Sequence, residues 1–301
     1  MSRLFVAGMM VSCFLFGSVK AGEVDETKLP HYKLIAAGKL VEEVNSGKIS
    51  YRTAQRQCGS MLQIVYLSGK IFYFAPHIVP PDAPVSGVQV SIAEFPLTKH
   101  LNITSDADGN WSMPIIKFKR IPLRLSLRFE KEGFVTAKNN QLTITDTSID
   151  SIAMQFTSEE YFNAAVAQLE QQVSAAIGVP YTVQSLTVAT VGKSWTSSYL
   201  NIFPHGDPGA TVTINPPVSF PTLGPVYFND NVAPDPAQPF VSVDGGVLFA
   251  NMPVGTFTLE AQKEPYIYEP VTFVVEPGIR LYVASPPHSL QGNNESGPGE
   301  W

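Results

Sequence analysis

Charge is scarce in this 301-residue chain: Asp, Glu, Lys and Arg make up only 15% of it. It also lacks a basic excess, since 20 Lys and Arg face 26 Asp and Glu for a net charge of −6, and that argues against a general nucleic-acid partner. Cysteine is nearly absent. The two that occur are Cys13 and Cys58, too few for a disulfide framework. Long apolar runs are missing beyond the first residues, and no stretch approaches the roughly 20 needed to span a bilayer as a helix. Catalytic signatures are missing as well: there is no G-x-S-x-G elbow, no phosphate-cradling glycine loop and no HExxH spacing.

What remains is apolar and heavily punctuated. Hydrophobic residues are 44% of the chain, enough for real cores, while 25 prolines and 22 glycines break it into short segments. That combination favours many short strands joined by turns. Residues 1–21 read as a secretory leader, with Arg3 ahead of the apolar run Leu4 to Gly17 and small residues Val19 and Ala21 before a cut at Gly22. A lipidated Cys13 is the alternative. The expected location is secreted or periplasmic. Cys58 would then stand alone, most simply as a buried thiol.

The periodicity divides the chain into six parts. After the leader, residues 22–60 are helical in pattern, with Leu34, Ala37, Leu40, Val41 and Val44 recurring at three or four and Gly47 as a stop. A second short helix there includes Ala54 and Cys58. Residues 61–157 alternate like strands, most clearly at Val88-Val90-Ile92 and Leu123-Leu125-Leu127-Phe129. Residues 158–180 read as a helix capped by Ser158, with Phe162, Val166, Leu169, Val173 and Ile177 on one face and Gly178 as its stop. Strands resume over 181–285, and 286–301 is a polar tail.

The two strand-rich blocks repeat each other. Gly69-Lys70 corresponds to Gly192-Lys193, and Gly87-Val88-Gln89-Val90-Ser91-Ile92 to Gly209-Ala210-Thr211-Val212-Thr213-Ile214. Asp108-Gly109 corresponds to Asp244-Gly245, Pro122 to Pro253 and Phe134 to Tyr266, with about 14 extra residues in the second block between Asn215 and Val243. Asp-Gly supplies the positive φ of a tight turn, and apolar alternation gives each strand one face to bury against a second sheet.

The order of these landmarks, from Pro84-Val85-Ser86-Gly87-Val88 through Asp106-Ala107-Asp108-Gly109-Asn110-Trp111 to Lys131-Glu132-Gly133-Phe134, resembles the carboxypeptidase regulatory-like domain. The resemblance covers roughly 63–157 and 181–285, and Pro265-Tyr266 departs from the family's usual glycine before an aromatic. It implies a mainly β protein: two tandem transthyretin-like (Ig-like, carbohydrate-binding-like) sandwiches of about seven strands each, joined by an α-helix and preceded by a small helical segment. Each block is expected to fold by itself.

Candidate chemistry is thin. Thr104-x-Asp106-x-Asp108-Gly109 looks like a calcium loop but has Thr104 and Ile115 where the first and last ligands belong, so a hairpin turn is the better reading. His205-Gly206-Asp207 sits in a loop. Asn102, Asn110 and Asn294 head glycosylation sequons, relevant only in a host that modifies them. Lys117, Lys119, Arg120, Arg124, Arg128 and Lys131 form a local basic cluster, either a charged sheet face or a patch for an anionic polysaccharide, lipid headgroup or acidic protein. Trp111, Trp195, Tyr199, Phe203, Phe220, Tyr227 and Phe228 are candidate sugar platforms or core residues. No catalytic, metal or cofactor residue is expected. The leading expectation is a non-enzymatic exported module binding a protein or polysaccharide at the cell surface. A structural subunit of a surface assembly is the alternative, and a hydrolase comes third.

Overall fold

A computed structural model describes residues 43–45, 47–58, 61–74, 83–192 and 206–284. The leader, most of the first helical stretch, the 286–301 tail and three of the aromatics (Trp195, Tyr199 and Phe203) lie outside the described residues.

The protein is mainly β. Helix α1 (Tyr51–Cys58) leads into strands β1 (Leu62–Tyr73), β2 (Gln89–Ile92), β3 (Asn110–Phe118), β4 (Leu123–Leu125), β5 (Leu127–Glu130), β6 (Ala137–Asn139), β7 (Leu142–Ile144) and β8 (Ile149–Phe156). Helix α2 (Glu159–Ile177) follows. The second block holds β9 (Leu186–Thr190), β10 (Thr211–Asn215), β11 (Leu223–Phe228), β12 (Pro234–Asp235), β13 (Gly246–Ala250), β14 (Gly255–Gln262), β15 (Val271–Val275) and β16 (Leu281–Ala284).

The pairing pattern repeats. β3-β1-β8 form one sheet, antiparallel then parallel, and β13-β9-β16 follow the same order and sense. Likewise β2-β5-β6 and β10-β14-β15 are both antiparallel throughout. Individual hydrogen bonds repeat too: Ile71 N donates to Gly109 O at 2.9 Å, as Val191 N does to Gly245 O at 2.9 Å. Asp106 Oδ1 accepts from Asp108 N and Ser242 Oγ from Asp244 N, so each turn is held by the side chain two residues before its Asp-Gly. Gly109 and Gly245 carry the positive φ (+78° and +82°) that these turns demand.

One landmark moves. The backbone bonds place Ile71 against Val191, and Lys70 and Thr190 pair with the equivalent residues Asn110 and Gly246. Gly69-Lys70 and Gly192-Lys193 are therefore offset by three residues and are not equivalent. Gly69 has its own cause: the β1–β8 register slips between Leu67 and Gly69, and a Cβ there would stand 1.9 Å from Ile152 O. The long alternating run Leu123–Glu130 also breaks into two strands, because Ser126 N is drawn to Glu94 Oε2 (2.8 Å) and Leu127 N to Asn139 Oδ1 (2.6 Å).

The blocks are not beads on a helix. β16 pairs in parallel with β9 on one side and with β6 of the first block on the other, which fuses strands of both blocks into one eight-stranded sheet, β12-β11-β13-β9-β16-β6-β5-β2. The extra residues of the second block supply β11 and β12, which cover the β13 edge. The equivalent edge of β3 is closed in another way: Asn45 donates from Nδ2 to Ile116 O and accepts Ile116 N–H on Oδ1. Pro114, with no N–H, blunts it further.

Both faces of the β9-β13-β11-β16 part are buried, which is why Gly246–Ala250 shows no exposed position. Leu186, Val226, Phe228, Leu248, Ala250 and Leu281 share a core with α2 (Phe162, Val166, Leu169, Val173) and with the interior of the first block. The alternate residues Ala189, Tyr227, Val247, Phe249 and Tyr282 meet the β10-β14-β15 sheet in a second core. Helix α2 has its expected ends, with Ser158 Oγ accepting Tyr161 N–H and Gly178 in the left-handed region. Its apolar stripe is a roof over the shared sheet.

Candidate binding surface

Of the six basic residues, Lys117 is on β3, Lys119 and Arg120 are in the turn after it, Arg124 is on β4, Arg128 on β5 and Lys131 just past the end of β5. Lys117 is buried, and its ammonium donates to Asp146 Oδ1 (2.6 Å) and Phe118 O (2.8 Å). The Asp146 carboxylate also receives Gln63 Nε2 (2.7 Å) and the Arg120 backbone N–H (2.8 and 2.9 Å to its two oxygens). That grip holds Arg120 at φ 63°, a conformation a side chain rarely takes unaided. The Lys117 hydrogen bond outweighs the opposing effect of burial and, with the Arg120 N–H, the Lys117 charge and Gln63, keeps the Asp146 carboxyl below the ordinary carboxylate range.

Arg128 is half-buried and paired with Glu130 at 2.9 Å; Glu130 also holds Lys99 at 2.5 Å. Lys131 donates to Ser86 O (2.7 Å) and lies 5.1 Å above the Phe134 ring. Three members of the cluster are thus engaged in holding the fold. Lys119, Arg120 and Arg124 are exposed and keep their side chains in solvent.

The other candidates sort by burial. Asp106 spends its carboxylate on the N–H groups of Asp108 and Asn110, as a turn does. Trp111, Tyr227 and Phe228 are core residues, whereas Phe220 is 69% exposed beside Tyr181, ring centres 6.2 Å apart. Tyr181 in turn donates to Pro221 O at 2.7 Å, which fixes the loop carrying Phe220. Among the described residues no group of three or more His, Cys, Asp or Glu is placed to hold a metal, and no helix is long and apolar enough to cross a membrane.

Two polar clusters join residues whose pairing the sequence did not show, although Asp207 already stands out in its loop beside His205. Asp207 is buried and accepts both from Lys263 Nζ and from the Tyr268 hydroxyl, whose pKa burial and then the Asp207 bond push upward. The first block builds this corner with Val85 and Thr136, keeping only the lysine over an aromatic ring. The second cluster is Lys138, fully buried, whose Nζ donates to Glu276 Oε1 at 2.5 Å across the junction of the blocks.

Asp244, in the second turn, has its carboxyl pushed up to about 6 by burial, and the nearby Asp230 adds to this against the Gly246 N–H bond. The folded protein therefore binds a proton there that the unfolded chain releases at about pH 4. Stability from this group is full below that pH and is lost as pH rises through about 6. Asp244→Asn keeps an acceptor for the Gly246 N–H and removes the charge. It is expected to raise stability on the order of 2 kcal/mol at pH 7 and to change little at pH 4. Urea melts at the two pH values check this, and an equal gain at both would refute it.

No protein-family model matches the chain, and no curated protein does. Among solved structures the chain is similar to one in a type II cohesin–X-dockerin complex of Acetivibrio cellulolyticus: 14% identity, 31% of this chain and 58% of that one, TM-score 0.22. The shaft pilin SpaA of Lactobacillus rhamnosus GG is similar at 13% identity over 76% of this chain and 98% of the pilin, TM-score 0.21. The major pilin subunit BcpA of Bacillus cereus is similar at 7% identity over 76% and 70%, TM-score 0.21. The chain spans 58% and 52% of the two cohesin–X-dockerin chains it matches.

Proposed function

We propose that this is an exported, non-enzymatic module, built from two carboxypeptidase regulatory-like sandwiches with α2 between them, that binds a polyanionic partner at the cell surface. The observation that carries the reading is the exposed trio Lys119, Arg120 and Arg124, the first two on a turn whose Arg120 N–H is held by the Asp146 carboxylate and the third on β4, while the neighbouring cations are used internally. Cations held by backbone hydrogen bonds rather than by one another are pre-arranged to meet an anionic surface. The proposed division remains 22–60, 61–157, 158–180 and 181–285, with secretion or export to a periplasm directed by residues 1–21.

The test is an array of sulfated and uronate polysaccharides probed with the wild type and with Lys119→Glu/Arg124→Glu. Binding should weaken as salt rises past roughly 0.15 M, where the Debye length is about 8 Å. The double variant should lose it while melting within about 1 kcal/mol of the wild type, since both side chains are exposed. Silence across the array, or binding indifferent to salt and charge reversal, would sink the polyanion reading.

A structural subunit of a surface assembly is the second reading. It is favoured by the way β16 joins β6, since a sandwich of this kind can extend a neighbour's sheet edge to edge. Light scattering on the purified protein separates the two, because a subunit should form ordered oligomers.

A further inference from the structure

In the second block an amine and a carboxylate meet inside the protein. Asp207 is 1% exposed, and its backbone is pinned: its N–H donates to Val191 O (2.9 Å) and its C=O accepts the Ala210 N–H (3.1 Å). Gly206, just before it, lies so close to the second Asp-Gly turn that a Cβ would stand 2.4 Å from Val243 O. Val191, Ala210 and Tyr268 all belong to the apolar core of the block. The carboxylate has one partner on each oxygen, Lys263 Nζ on Oδ1 and the Tyr268 hydroxyl on Oδ2. Lys263 follows directly on β14, passes over the Tyr266 ring (5.5 Å) and keeps its side chain 28% exposed.

The first block supplies an internal comparison. Lys131 stands where Lys263 does, but Val85 and Thr136 replace Asp207 and Tyr268, and the Lys131 ammonium donates to a main-chain carbonyl, Ser86 O. This corner of the fold therefore closes without an acid or a phenol. The second block has both, aimed at one lysine.

We propose that Asp207 and Lys263 are a self-modification site, at which the lysine amine and the aspartate carboxyl join as an amide with loss of one water. A proton first passes from Nζ to Oδ1, which turns the buried ion pair into a neutral amine and a carboxylic acid. The Nζ lone pair then attacks Cγ, and the C=O electron pair moves onto Oδ2. There the Tyr268 hydroxyl, kept protonated by burial and by its Asp207 bond, stabilises the oxyanion. A second proton passes from nitrogen to Oδ1, the Cγ–Oδ1 bond breaks, and water leaves as the Oδ2 carbonyl re-forms. Charges and atoms balance, and no oxidant or cofactor is needed. Two features drive a condensation that free amines and carboxylates in water resist: the groups are held in contact, and the amide removes two charges from a desolvated site. The bond joins residues 56 positions apart, tying the end of β14 to the segment that enters β10. A chain with too few cysteines for a disulfide framework gains a permanent cross-link in this way.

Intact mass of the purified full chain, unfolded for measurement, tests this. The protein should be lighter by one water than its sequence from whatever N-terminus it carries. The deficit should be one water and not two, because Lys131 has no carboxyl partner. Tryptic mapping should find Lys263 uncut and joined to the peptide that holds Asp207. Lys263→Arg keeps the positive charge but offers no amine to acylate, and should restore the full mass. In chain made by cell-free synthesis and sampled with time, Tyr268→Phe should slow the loss of water by about a hundredfold. A wild-type chain that stays folded for days at full mass would overturn the proposal. So would a missing water that survives Lys263→Arg, the result expected of a succinimide at Asp108-Gly109 or Asp244-Gly245. An unchanged rate in Tyr268→Phe would strike the phenol from the mechanism.

Discussion

Glu276→Ala should destabilise the protein by about 3–5 kcal/mol, and Lys138→Met far less, although the two residues share one ion pair. The asymmetry follows from exposure. The Lys138 side chain is 0% exposed and the Glu276 side chain 40%. Removing the glutamate strands an ammonium in the junction between the blocks, where water cannot reach it. Removing the lysine leaves a carboxylate that solvent already touches, and methionine refills most of the vacated volume. The main-chain bonds of Glu276, N–H to the Tyr282 hydroxyl (2.7 Å) and C=O from it (2.9 Å), survive both changes, so the comparison isolates the side-chain pair. Urea unfolding of the two variants measures it. Equal losses would mean that Lys138 is solvated in the folded state and the junction is wet.

The second large effect concerns fragments. Residues 179–301 should not unfold cooperatively when produced alone, in contrast to the self-sufficient block that alternation and turns predict. Without α2 and the first block, Leu186, Val226, Phe228, Leu248, Ala250 and Leu281 lose their cover, at about 1.5 kcal/mol or more for each large side chain. The β16 edge would stand open as well. Restoring α2 in residues 158–301 should recover part of the cooperativity, because the roof returns while the β6 partner does not. Calorimetry of the two fragments beside the whole chain decides this, and a sharp transition in the shorter one would show that the second core alone sustains a fold.

Much of this architecture was legible. Asp-Gly at two places, period-2 runs between them and a capped helix with clean stops all rest on local chemistry, which a sequence displays. The repeat was legible for the same reason, apart from the Gly-Lys landmark: Gly69 serves a register slip against Ile152 that the second block lacks. The fusion of the sheets was not. β16 is four residues long, and nothing in Leu281–Ala284 says that its second neighbour lies more than a hundred positions earlier. The uninterrupted apolar run Val247–Ala250 did hint at a strand covered on both faces, a reading that two half-buried sandwiches leave no room for. As for the basic cluster, proximity in sequence placed six cations together, but Asp146 and Ser86, which hold Lys117 and Lys131, come from distant loops, and only Glu130, two residues from Arg128 on β5, is a local partner. Only three-dimensional pairing separates the cations that hold the fold from those left to meet something else.

The strand that joins the two parts of the eight-stranded sheet is made after every strand it joins. Until residue 284 has been made, β6 waits with an unpaired edge and the Lys138 ammonium has no counter-ion. A chain delivered through a membrane from its first residue would hold its leading block incomplete for most of that passage. Such distant pairings are slow to form and leave edges open to wrong partners in the meantime. Export as proposed would therefore set a kinetic problem as well as a topological one, and a chaperone able to shield one short strand edge would relieve it.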